Sequence, residues 1–161
     1  MQGNYYAYTP VTPPKQKGVK EFLNEIRHSH LRKDMLEARV EDQRRMLHAV
    51  NFDKAHVKGG ALNGTEECLA RLMDTHEELK AELDHLLALN RLADRLINRL
   101  DDYRLCSVLT LRYLCAYSWE AVARETGYTL RWVHQLHRAA LCRLEQAVRD
   151  DPGLLRDWEK R

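Results

Sequence analysis

The stretch Ser118–Leu141, SWEAVARETGYTLRWVHQLHRAAL, reads as two short helices joined by a tight turn at Gly127. Ser118 is a natural N-cap for the first helix, and Thr129 for the second, because their hydroxyl oxygens accept from unpaired first-turn N–H groups. Gly127 ends the first helix, since glycine takes the left-handed conformation without steric cost. The expected helices are 119–126 and 130–149.

A 20-residue helix-turn-helix frame starting at Trp119 is filled position by position. Position four is Val122, five is Ala123, nine is Gly127, fifteen is Val133 and eighteen is Leu136. Ala123 is small where two helices nearly touch. Val122, Val133 and Leu136 supply the apolar wedge that holds the crossing angle. Thr126 is the one polar residue at a position that tolerates it.

With Val133 and Leu136 inward, the outward face of the second helix carries Leu130, Arg131, His134, Gln135 and Arg138. In such a motif the N-terminal half of this helix enters the DNA major groove. Arginine matches guanine, glutamine matches adenine, and histidine donates or accepts. These five residues are the expected base readers. Arg112, Ser118, Arg124, Thr129 and Arg143 are the expected phosphate contacts. A net charge of +4 over residues 103–149, from 7 Lys/Arg against 3 Asp/Glu, suits a polyanion.

Upstream, Asp101–Asp102 caps a helix expected over 102–114, with Leu105, Val108, Leu109, Leu111 and Leu114 on its apolar face. Before that come two longer patterns. Positions 19, 22, 26, 29, 33, 36, 40, 43, 47 and 50 alternate in steps of three and four, and seven of the ten are apolar. Positions 69, 72, 76, 79, 83, 86, 90, 93, 97 and 100 do the same, and eight are apolar. The expected helices are 19–50 and 65–100, roughly 45 and 55 Å long. The intervening 51–64 contains Gly59–Gly60 and Asn63–Gly64 and reads as a loop, with Thr65 capping the second long helix.

The lengths match and the charges complement. Residues 1–64 carry 11 Lys/Arg against 7 Asp/Glu, whereas 65–102 carry 5 against 10. The expected architecture is all-α: a long N-terminal antiparallel helical hairpin or coiled coil over 18–101, then a three-helix domain over 102–149. Leu72, Leu79, Leu83, Leu86, Asn90 and Ile97 form the expected seam of the hairpin or of a homo-oligomer. Asn90 reads as a register device and His76 as a partly solvated seam residue. Residues 1–17, with Pro10, Pro13 and Pro14, read as a flexible arm, and 150–161 as a C-terminal tail that either packs or frays.

Several classes are disfavoured. There is no run of about 18 apolar residues for a membrane span, and the start lacks a signal-peptide layout, so a cytoplasmic protein is expected. The scattered Cys68, Cys106, Cys115 and Cys142 read as small core apolars. His134 and His137 lack a third metal ligand nearby. No nucleophile–base set, H-E-x-x-H or phosphate loop is present, so a non-catalytic, cofactor-free function is expected.

The stretch LTLRYLCAYSWEAVARETGYTLRWVHQLHRAALCRLE, residues 109–145, resembles the promoter-reading C-terminal domain of bacterial primary sigma factors, which binds the minus-35 element. The shared skeleton is L-x-x-R-Y, S-W-E-x-V-A, G-Y-T and R-W-V-x-x-L-x-x-x-A-L. Residues 18–149, with the INRLDD junction at 97–102, further resemble a group of phage and prophage transcription regulators that place a long helical segment before such a domain. The resemblance implies base reading by Leu130, Arg131, His134 and Gln135, and phosphate contact by Ser118 and Arg112. Leu130 and His134 stand where the pattern has arginines, and Arg131 where it has an acid; only Gln135 matches. The implied target differs from the sigma hexamer, with a thymine methyl against Leu130 as one contact.

A segment for melting DNA is not expected in a chain of this length and pattern. The expected partners are double-stranded DNA, a second copy of the chain and bacterial RNA polymerase. Two other readings use the same features. One is a phage packaging adaptor resembling a small terminase, and the other a module that docks on RNA polymerase without reading DNA.

Overall fold

The computed structural model describes residues 18–56 and 63–159, and helix is the only regular structure among them. In chain order the helices are α1 (Val19–His56), α2 (Asn63–Ile97), α3 (Tyr103–Leu109), α4 (Trp119–Thr126), α5 (Leu130–Asp150) and α6 (Arg156–Glu159). A wide π turn, Thr110–Leu114, extends α3, and a 3-10 turn, Pro152–Leu155, precedes α6. No described helix is long and apolar enough to cross a membrane. The expected arm, 1–17, and the glycine pair of the expected loop lie outside the described residues.

α1 and α2 pack along their lengths in opposite directions: Arg32 meets Glu82, Arg39 meets Glu78 and Arg44 meets His76. The seam expected on α1 faces inward. Val19, Phe22, Ile26, Ser29 and Val40 are buried, and Lys33, Leu36, Gln43 and Leu47 are half-buried. Ser29 is tolerated there because its hydroxyl donates to the Glu82 carboxylate. Arg32 then bridges Glu82, at 3.1 Å, and Glu25, at 3.0 Å. A polar layer built this way favours one register, because slipping it leaves half-buried charges unpaired.

Only part of the seam expected on α2 faces α1, so its hairpin reading needs correction. Leu72, Leu86 and Ile97 are buried and Leu79 is half-buried. Leu83, however, is 38% exposed and Leu69 is 46% exposed. The column 69–76–83 lies one residue round from the one that packs, which is Cys68, Thr75, Glu82, Leu89 and Leu96. Glu82 makes that column look polar in isolation, and α1 supplies its partners. His76 is half-buried, 3.3 Å from Arg44. Asn90 is half-buried, and its Oδ1 has no hydrogen-bond partner among the described residues.

Helix ends shift as well. α1 continues through Asn51–His56, a stretch without glycine or proline to stop it. α2 begins at Asn63, which puts Thr65 inside its first turn rather than at the cap. It ends at Ile97 because Arg99 and Leu100 turn back to Leu96 and Ile97 with tighter three-residue bonds. Cys106 Sγ donates to the Leu100 carbonyl at 3.4 Å and approaches the Ile97 carbonyl, already bonded by the Leu100 N–H, at 3.6 Å, and burial pushes its thiol pKa up. Cys68 is half-buried like Cys106, but Cys115 and Cys142 are exposed and are not core fillers.

One apolar core runs across the expected boundary at 101/102. It joins the start of α1, the end of α2, α3, α4, α5 and the tail. Val19, Phe22, Leu23 and Ile26 meet Leu89, Ala93, Leu96, Leu109, Val133 and Leu144 in this cluster. The tail packs. Asp151 caps the turn at Gly153, Leu155 and Trp158 are buried, and the Trp158 ring meets Phe22 edge-on at 5.3 Å between centroids.

Candidate nucleic-acid interface

α4 and α5 are placed by their caps and their wedge. Ser118 Oγ accepts from the Ala121 N–H at 3.2 Å, and Thr129 Oγ1 from the Trp132 N–H at 3.3 Å. Gly127 sits at φ 70°, ψ 16°, and the Tyr128 N–H returns to the Ala123 carbonyl. An added Cβ at Gly127 would meet nothing within 4 Å. The requirement for glycine is therefore the left-handed backbone, not space. Val122, Val133 and Leu136 are buried between the helices. Thr126 is accommodated because its hydroxyl donates to the Val122 carbonyl at 2.7 Å.

Val133, Leu136, Ala140 and Leu144 form the inward face of α5. Leu130, Arg131, His134, Gln135 and Arg138 are all exposed on the remaining faces. The structure therefore brings the five expected base readers onto one open surface over the first three turns of α5. Ser118, Arg124, Thr129 and Arg143 are exposed around it. Arg143 lies near Asp102, whose carboxyl is held below its usual range by hydrogen bonds from the Arg104 side chain and backbone, with Arg143 a more distant contributor.

Arg112 is not available as a phosphate contact. It is 8% exposed, and its Nη1 donates to the Tyr117 carbonyl at 2.6 Å. Its guanidinium carbon lies 4.3 Å above the Trp119 ring. The π turn is the cause: Thr110–Leu114 winds one residue wider than an α-helix, with the Cys115 N–H bonding to the Thr110 carbonyl, and Arg112 lies within it on the inner side. Arg112 is a structural brace between the turn and α4.

The brace belongs to an aromatic cluster that the sequence reading missed. The Trp119 ring meets His134 at a tilt, 4.7 Å between centroids, and His137 edge-on at 4.8 Å. The Tyr113 hydroxyl lies 2.8 Å from His137 Nε2. Burial, then the charges of His134, Arg112 and Lys20, lower the His137 pKa to about 4, so the ring is neutral near pH 7. Burial raises the Tyr113 pKa. His134 is the member that reaches the surface, and its ring is held there by Trp119. Trp132, in the first turn of α5, is also exposed and was unassigned by the sequence pattern. A bulky aromatic at a position with no core duty is the signal that marks it.

Among the described residues no group of three or more His, Cys, Asp or Glu is arranged to hold a metal ion. Comparison with protein-family models, with curated proteins and with solved structures finds no match.

Proposed function

We propose that the chain is a sequence-specific, DNA-binding transcription regulator of phage or prophage type. In this reading, α4 and α5 form a sigma-like helix-turn-helix, α3 completes a three-helix reading domain, and α1 and α2 form a supporting antiparallel hairpin. The observation that carries it is the division of α5. Four residues at helical spacing are buried, while Leu130, Arg131, His134, Gln135 and Arg138 are exposed together at its N-terminal half. That half is the part of such a motif that enters the major groove.

Base contact falls to those five residues, with Trp132 at the edge of the groove. Arg124 and Arg143 are suited to phosphates. Thr129 still has a hydroxyl hydrogen to donate to a phosphate oxygen, because its oxygen acts as an acceptor in the cap, whereas the Ser118 hydroxyl is already shared with the Glu120 carboxylate.

Footprinting and binding titrations on fragments of the surrounding genome test this. A discrete protected site is expected. On it, Arg131→Ala and Gln135→Ala each weaken binding by about 1–3 kcal/mol while binding to unrelated DNA stays the same. Equal affinity for all fragments, or an unaltered Gln135→Ala protein, would exclude this reading face.

The phosphate contacts have a separate signature. Arg124→Ala and Arg143→Ala are expected to weaken binding to every duplex alike. Each should also lower the slope of log affinity against log salt by about one. A loss confined to the specific site would instead make them base readers.

A further inference from the structure

Once the packed column of α2 is known, a second column remains open. Leu69, Met73, Lys80, Leu83 and Leu87 are exposed along one flank of α2, and half-buried His76, which also touches Arg44 of α1, and half-buried Asn90 complete their steps of four and three. Leu69, Met73, Leu83 and Leu87 are 46, 62, 38 and 52% exposed. The stripe is about 32 Å long. Its repeat is that of a coiled-coil seam, which calls for another helix with the same repeat rather than a globular partner.

Its order selects the partner. In an antiparallel coil the two kinds of seam position face each other across the pair. Setting α2 against a second α2 with the twofold axis near residue 78 pairs Leu69 with Leu87 of the other copy, and Met73 with Leu83. The polar pair His76 and Lys80 then meets itself at the centre, and apolar layers lie on both sides. The outer edge agrees in charge. Glu66 near one end falls beside Arg91 of the second copy, and Lys80 beside Glu77; all four are exposed. A parallel arrangement would instead set Lys80 against Lys80 and Glu66 against Glu66, which is repulsive at both places.

We propose that the chain self-associates as an antiparallel dimer through the Leu69–Asn90 stripe of α2, with a second copy as the occupant of that face. The dimer is independent of what α5 reads, so it stands or falls separately from the proposed DNA binding.

Sedimentation equilibrium on the full chain at low salt tests it. A dimer is expected, and Met73→Glu with Leu83→Glu weakens it at least about 100-fold, because charges are placed in an apolar contact. Far-UV circular dichroism confirms that the variant keeps its helices. If it does not, the charge pair replaces it: Glu66→Arg and Arg91→Glu each weaken the dimer, and together they restore it. Orientation is read by oxidation in a Cys115→Ser, Cys142→Ser background. A protein carrying Met73→Cys and Leu83→Cys cross-links between copies, whereas either change alone does not. A monomer at 100 µM, a ring of higher fixed stoichiometry, a dimer indifferent to the glutamates, or self-linking by Met73→Cys alone each overturns the proposal.

Discussion

Replacing Trp158 by alanine is expected to destabilise the protein by about 3–5 kcal/mol, the range for removing a buried aromatic side chain. Trp158 is only 7% exposed, and its ring closes over Phe22, which is fully buried near the start of α1. The contact joins the two ends of the described chain. Phe22 in turn shares a core with Leu96, Leu109 and Leu144, so the cavity opens where α1, α2, α3 and α5 converge. Collapse into that cavity would require several helices to move together, which keeps the cost in the upper part of the range.

Urea denaturation measures this effect: the midpoint falls while the slope stays constant. For a chain of this size the loss corresponds to a drop in Tm of roughly 10 °C. Tyr103→Ala is the control. Tyr103 is 73% exposed, and its removal is expected to stay within about 0.5 kcal/mol. A Trp158→Ala protein as stable as that control would mean the tail is not part of the core.

The tail shows what local sequence can and cannot supply. Asp151, Pro152 and Gly153 announce a turn, but nothing local says that Leu155 and Trp158 then find Phe22, more than 130 residues earlier. Long-range packing decides it. The α1 seam was legible because its apolar positions occupy a single stripe. The α2 seam was legible only in part, since α2 has two neighbouring apolar columns and a heptad count cannot tell which one its partner covers. Thr75 and Glu82 made the true column look the poorer choice. Ser29 and Arg32 on the facing helix are what make it the better one.

The candidate site divides in a similar way. The caps at Ser118 and Thr129, the left-handed Gly127 and the inward Val133 and Leu136 are local effects, so the outward face of α5 follows from spacing alone. Arg112 does not. Its charge and position resemble those of a phosphate contact, but a π turn places it beneath Trp119, and no local residue pattern announces that turn. The same turn brings Tyr113 to His137, a contact between residues 24 positions apart.

That contact gives the second large expectation, a loss of stability in mild acid. The His137 pKa falls from 6.5 to about 4 on folding, because burial disfavours the imidazolium and the nearby His134, Arg112 and Lys20 add like charge. Between these values the unfolded chain binds a proton that the folded chain refuses. Stability therefore rises with pH across this window, and is lost as pH falls from 6.5 toward 4. The shift corresponds to at most roughly 3 kcal/mol. His30, whose pKa burial also lowers, acts in the same direction, so the total acid effect does not by itself identify His137. His137→Gln separates them. Glutamine can still hydrogen-bond the Tyr113 hydroxyl but does not titrate, and His30 is unchanged in both proteins. Denaturation at pH 7.5, 6.5, 5.5 and 4.5 should show the wild type losing stability faster than the variant as pH falls, with most of the divergence below 6.5. A stability difference between the two that stays constant over this range would show that His137 does not remain neutral in the folded protein.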